Sequence, residues 1–184
     1  MTQTDTIFAL SSGQPPAGIA IIRISGPEAG RVLDVLAGGR PEPRQAVYRR
    51  FRDIGGVPLD DGLALWFPGP KSATGEDLAE LQVHGGRAVV AAVLNALGRM
   101  ESCRPAQAGE FTRRALENGR IDLTEAEGLA DLLAAETEAQ RQSAFALAEG
   151  GLGRLVANWE KQLLIESARV EALLDFADEG DVDD

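Results

Sequence analysis

At Gly119 the hydrophobic period of this 184-residue chain changes, and the change limits what each side can become. Before it, short β-branched or alternating runs are separated by Gly and Pro, the pattern of strands and helices joined by tight turns. After it, apolar residues recur at helical spacing: at Leu129, Leu132 and Leu133, then at Leu152, Leu155, Val156, Trp159, Leu163, Val170 and Leu174. We therefore expect an α+β domain over residues 1–118 and the start of a helical domain over 119–184.

Within the first part, Thr6–Leu10 reads as a short strand and the β-branched run Gly18–Ile24 as a buried one. Ser25-Gly26-Pro27-Glu28 has the form of a capping box, in which serine and glutamate satisfy opposite backbone donors. A helix should follow to about Ala37 and stop at Gly38-Gly39. Val47, Arg49 and Phe51 alternate with Tyr48, Arg50 and Arg52, a half-exposed strand with a cationic edge. The Gly55-Gly56 turn leads into a strand over Leu59–Phe67 that Pro68-Gly69-Pro70 ends. Leu78–His84 is the next strand, and Gly85-Gly86 releases a helix from about Ala88 to Met100. A loop holding Pro105 and Gly109 precedes a short helix over Glu110–Asn118. In the second part, Thr124-Glu125-Ala126-Glu127 is a further capping-box pattern, expected to open one helix reaching Ala148. Gly150, Gly151 and Gly153 then break or kink it. Neither helix can hide its stripe alone, so they should pack on each other or on partners outside the chain. The chain halts at Asp181-Val182-Asp183-Asp184 without a stop signal, which predicts a longer parent protein.

Several functions are excluded by composition. One cysteine, Cys103, and one histidine, His84, allow neither an internal disulfide nor a His/Cys metal cage. No apolar run approaches the ~18 residues of a membrane span, and the first residues lack the basic and apolar regions of a signal peptide. A soluble cytoplasmic protein, with no membrane partner, is the expectation. Net charge is −11, but residues 1–120 hold 14 Lys/Arg against 13 Asp/Glu, and residues 121–184 hold 4 against 16. The acidic second part would repel phosphate backbones, so this chain alone is a poor nucleic-acid clamp. The sequence contains no GxxxxGK[ST] phosphate loop, and the GGLG of Gly150–Gly153 reads as a helix break. Cys103 reads as an incidental small residue.

The residues with chemical promise lie on the Leu78–His84 strand and near it. Glu80, Gln82 and His84 share one face, while Ala79, Leu81 and Val83 form the apolar one. That polar face is either solvated or the wall of a pocket, where a carboxylate could accept hydrogen bonds from an amine-rich heterocycle such as a pterin. Arg23 interrupts a run of isoleucines and requires an anionic partner, either a structural ion pair or a ligand. Arg120 follows the helix-stopping Gly119 at the expected border, where a solvated arginine is the alternative to a cleft residue.

The segments DTIFAL, GIAIIRISGPEA, LALWFPGPKSATGEDLAELQVHGG, RPAQAGEFTRRALENGRIDLTEAEGLADLL and LLDFADEGDV, in this order, resemble the N-terminal part of the MnmE (TrmE) family of tRNA-modification GTPases. The likeness spans nearly the whole chain. It implies a mixed-sheet domain like the tetrahydrofolate-binding domains of glycine-cleavage aminomethyltransferases, which binds 5-formyltetrahydrofolate or another tetrahydrofolate and forms a homodimer. It also implies a parent protein with a potassium-dependent GTPase domain, using GTP, Mg and K. With the flavoprotein partner MnmG, that protein modifies carbon 5 of the wobble uridine in tRNA. By the same resemblance Arg23 and Glu80 are folate contacts. Arg120 stands where the family often has a lysine, which keeps the charge and changes the donor geometry. Glu80 would hold pterin donors, with Arg23 and Arg120 facing carbonyl or carboxylate oxygens. A dimerisation scaffold with a vestigial pocket is the alternative, and a free-standing aminomethyltransferase-like enzyme a third.

Overall fold

The Ile-rich run forms a central strand because both its faces are covered at one end and its neighbours pair on either side. In the computed structural model, which describes residues 5–175, β1 (Thr6–Leu10) and β2 (Ala17–Ser25) are antiparallel, with Ala9 opposite Arg23. After α1 (Ala29–Leu36), the strands β3 (Val47–Arg52), β4 (Pro58–Phe67) and β5 (Leu78–Gly85) pair antiparallel in succession, and β5 returns to lie beside β2. Then come α2 (Arg87–Gly98), β6 (Cys103–Pro105) and α3 (Glu110–Glu117). The strands make one mixed sheet in the order β3-β4-β5-β2-β1-β6, with β6 parallel to β1.

Strand alternation puts Ile22, Ile24, Leu81, Ala79, Val83, Ala64, Trp66 and Phe51 on one face, where Val32, Leu33 and Leu36 of α1 and Val90, Val93 and Leu97 of α2 complete the core. The opposite face carries Ile21, Arg23, Glu80, Gln82, Leu63 and Leu65, all half-buried. This is the face on which the candidate residues lie.

The chain divides into two compact units with the border between Arg120 and Ile121. The second holds α4 (Leu123–Ala134), α5 (Glu138–Ala148) and α6 (Gly151–Asp175). Helices α4 and α5 pack closely at Gly128, where a Cβ would come within 2.8 Å of Leu147 Cβ. The α6 stripe stays in water, with Trp159, Leu163 and Leu174 all exposed.

Four local expectations are corrected. Ser25 caps no helix: it ends β2, its hydroxyl meets Thr74 and Glu76, and the amide of Glu28 is satisfied by the Thr6 hydroxyl at 2.8 Å. Gly26, at φ +131°, delays the helix past the register a box would need. The cap of α4 is Asp122 with Glu125, two residues before the expected pair, because starting there adds helical hydrogen bonds at no loss of the reciprocal contact. The expected helix to Ala148 is two helices, split where Thr137 and Gln140 form a second box. The loop around Pro105 contains the three-residue strand β6, too short to show alternation. Gly150, at φ +73°, does end α5, whereas Gly151 and Gly153 lie inside α6. The end of the LLDFADEGDV segment, from Phe176 on, lies outside the described residues.

Candidate functional site

The register of β2 against β5 sets Arg23 directly opposite Glu80. Both side chains leave the face away from α1 and α2, so the arginine's required anion and the strand's carboxylate find each other. Arg23 Nε and Nη2 donate to Glu80 Oε1 at 3.0 and 2.8 Å. The Glu80 side chain is 14% exposed and that of Arg23 33%. Phe111 of α3 lies under the guanidinium, 5.9 Å from its carbon to the ring centroid, a cation–π contact that fixes its plane. Two of the three residues singled out in the sequence are thus brought together as a half-buried ion pair.

Arg120 is placed differently. Its Nε donates to the carbonyl of Ser72 at 3.0 Å, and its neighbour Asn118 donates to the carbonyl of Thr74 at 2.8 Å. Gly75, at φ +79°, lets this loop close on them: a Cβ there would meet Asn118 Cβ at 2.7 Å and Arg120 Cγ at 3.0 Å. The same loop reaches β2, since Thr74 Oγ1 lies 2.7 Å from Ser25 Oγ, and Ser25 shares the face of Arg23 two residues away. Arg120 is therefore linked to the Arg23–Glu80 pair through the loop between β4 and β5, and its own hydrogen bond is to that loop.

Sequence reading missed the network that seats α3 and this loop. Arg114, 1% exposed, donates to Glu76 Oε2 at 3.0 Å, to Glu110 Oε1 at 3.2 Å and to Asp5 through its carbonyl at 3.0 Å. Arg104 adds two hydrogen bonds to Glu110, at 2.9 and 2.6 Å, and one to Asp5. The Arg104 guanidinium, with help from the Gln107 amide and Arg114, holds the Glu110 carboxyl down to about 2 against the burial that would raise it. Glu76 in turn accepts from Ser25 at 2.7 Å, so a buried arginine, a loop carboxylate and the candidate face form one connected system. Its members come from the residue before β1, from β6, α3 and the loop, up to 109 residues apart, and no local pattern announces them.

His84 does not touch Glu80. It stands further along the same face with its ring 72% exposed, and Asp60 holds it. Cys103 is half-buried, and burial pushes its thiol up, which agrees with an unreactive residue. Among the described residues no cluster of three or more His, Cys, Asp or Glu could hold a metal ion, and no helix is long and apolar enough to cross a membrane.

What the site offers chemically is a carboxylate with one oxygen engaged by arginine, a stacked guanidinium and a flanking apolar floor. Such a set can read the donor and acceptor edges of a flat heterocycle.

Comparison with known proteins places these residues in context. A family described as "GTP-binding protein TrmE N-terminus" matches residues 6–120, and one described as "MnmE helical domain" matches residues 123–184. The chain is 63% identical over 180 residues to a tRNA modification GTPase MnmE of Novosphingobium aromaticivorans, covering 97% of this chain and 41% of that protein. It is 61% identical over 181 residues to the protein of that name from Methylorubrum populi, covering 98% and 41%, and 56% identical over 183 residues to that of Rhodopseudomonas palustris strain BisB18, covering 100% and 41%. The chain thus spans about 41% of the length of these relatives. With both of its units matched in order, the chain belongs to the MnmE (TrmE) family, of which it carries the N-terminal and helical-domain sequence.

Proposed function

We propose that this chain is the N-terminal module of a tRNA modification GTPase and binds a reduced folate, 5-formyltetrahydrofolate or another tetrahydrofolate, at Arg23, Glu80 and Arg120. The observation that carries the reading is the Arg23–Glu80 pair: a half-buried carboxylate facing out of the sheet, with only one oxygen taken by its arginine. A pterin presents adjacent N–H donors that a carboxylate accepts, and a carbonyl that a guanidinium can meet. Arg120, hydrogen-bonded to the loop beside the pair, supplies the second cation. The Arg114–Glu110–Glu76 network holds that loop against the face.

Homodimerisation belongs to the same reading, as do participation in wobble-uridine modification of tRNA and partnership with MnmG. GTP, Mg and K would be handled by the part of the parent protein outside the matched 41% of its relatives. Isothermal titration of the chain with 5-formyltetrahydrofolate tests the ligand: saturable heat is expected, and none at high ligand concentration leaves the scaffold reading standing. Light scattering tests the dimer, and a single 19.5 kDa particle at micromolar concentration would contradict it.

A further inference from the structure

We propose that the hollow between the end of β1, the last turn of α2 and Pro105-Ala106 binds a small neutral amide, a molecule the size of one apolar amino-acid residue capped at both ends. The site owes nothing to the folate reading: it lies at the β1–β6 edge of the sheet, against α2.

The cavity measures about 690 Å³, inside the range of roughly 300–1,000 Å³ usual for small-molecule sites. Buried Phe8 and half-buried Leu10 and Leu94 give it an apolar floor, and the exposed Asn95 and Arg99 stand at its rim. Gly98 keeps it open. This glycine lies inside α2 and its φ is not positive, so the backbone does not require it, and glycine weakens a helix relative to alanine. Beyond its own helix, a Cβ there would meet Phe8 Cζ alone, at 3.8 Å, so a longer side chain at this position would fill the hollow.

The sheet edge supplies the polar contacts. Strand β6 covers β1 only as far as Phe8, whose carbonyl accepts the Ala106 amide at 2.9 Å. Ladder groups alternate sides along a strand, and the Ser11 N–H turns towards β2, meeting the Ile21 carbonyl at 2.7 Å. The N–H and C=O of Leu10 therefore turn the other way, to the edge that β6 has left, and among the described residues neither has a partner. One residue of open edge, closed off by Pro105 and Ala106, accepts one residue of ligand. The ligand's C=O takes the Leu10 N–H, its N–H donates to the Leu10 C=O, and its apolar side chain covers Phe8. The surrounding charges favour a neutral molecule. Arg99 is the one charged side chain lining the hollow among the described residues. Against it stand the carbonyl end of α2 and Asp53, which lines an adjoining hollow with Arg99 and is held by the Gly55 and Val57 amides. Arg99 and Asn95 can then donate to an uncharged carbonyl oxygen of the ligand.

The test is a titration of the 184-residue chain with N-acetyl-L-leucine N-methylamide, followed by amide nitrogen–proton correlation spectra. The shifts should saturate and centre on Leu10, Asn95, Gly98 and Ala106. The ester analogue, with oxygen in place of the leucine N–H, should bind about tenfold more weakly, the value of one hydrogen bond. The anionic N-acetyl-L-leucine should bind no more tightly than the neutral amide. Gly98→Leu should abolish binding without lowering the melting temperature, since leucine is the better helix former. Should G98L melt lower, Gly98→Met, unbranched and adaptable, carries the same comparison. Affinity for 5-formyltetrahydrofolate should be equal in wild type and G98L. Shifts that do not saturate, an ester that binds equally, an anion that binds better or a G98L chain that still binds each overturn the assignment. Folate affinity lost in G98L overturns it as well, by making the hollow part of the folate site. A wild-type chain that binds the amide and no folate overturns the folate reading alone.

Discussion

Arg23 spends two nitrogens on a single oxygen of Glu80, Oε1, and leaves the other carboxylate oxygen to other donors. A side-on, bidentate pair would have used both oxygens. The asymmetry gives the first prediction. Glu80→Gln keeps the shape and the hydrogen bond from Arg23 but removes the charge that two pterin donors need. Folate affinity should fall at least tenfold by isothermal titration. The melting temperature should move little, because Arg23 keeps its hydrogen bond to the side-chain oxygen and its guanidinium stays one-third exposed, so the lost charge pairing costs about 1 kcal/mol.

Gly75 is the second point of leverage. Its φ of +79° and the 2.7 Å gap to Asn118 Cβ leave no room for a methyl group. Gly75→Ala should cost about 1–3 kcal/mol in denaturant unfolding. It should also weaken folate binding by displacing Arg120, and an unchanged affinity would remove Arg120 from the site.

Arg114 is the third. Arg114→Met leaves Glu110, fully buried, with Arg104 and the more distant Arg113 to oppose it, and frees the Glu76 carboxylate from its inner partner. The expected loss is about 3 kcal/mol, read from the shift in urea midpoint.

Acid should expose the same network. The Glu110 carboxyl sits at about 2 in the folded chain against an ordinary 4.5, so its ionised form is the one folding favours. That contribution is complete above the ordinary carboxylate range and vanishes as pH falls from about 4.5 through about 2. Thermal melts across that window should show wild type losing stability faster than Glu110→Gln, which starts lower at neutral pH and has less to lose.

The helical unit offers a local test. Asp122 accepts from the Glu125 amide at 2.8 Å while Glu125 accepts from the Asp122 amide at 2.7 Å. Asp122→Ala should destabilise the first turn of α4 by about 1 kcal/mol, seen as faster hydrogen exchange at the Glu125 amide.

What was legible in the sequence was whatever is written in short periods. The alternation around Leu81 gave β5 and its polar face, and the isoleucines gave β2. Arg23 looked wrong in that run for a sound reason, since its anion turned out to be the other residue under suspicion. Caps were less legible because the residues Asp122 to Glu127 contain two overlapping boxes, and Ser25 imitates a third while belonging to a strand. Which one forms depends on where the chain enters, and Thr6 decides that for α1 from 22 residues away. Thr137 and Gln140 did carry a readable signal, lost inside a longer apolar pattern. The Arg114 system had no such signal, for a buried charge is recognised by its partners and these are joined only by folding. His84 and Asp60, 24 residues apart, are the same case in miniature.

Arg120 and Asp122 have a single residue, Ile121, between them, and Gly119 on the near side is a left-handed turn at φ +63°. The side chain proposed to meet the ligand and the side chain that starts α4 therefore share almost no slack. A backbone shift at Arg120 must be taken up by two or three torsions or handed on to the first turn of the next helix. A ligand that holds Arg120 should accordingly slow the fraying of that first turn.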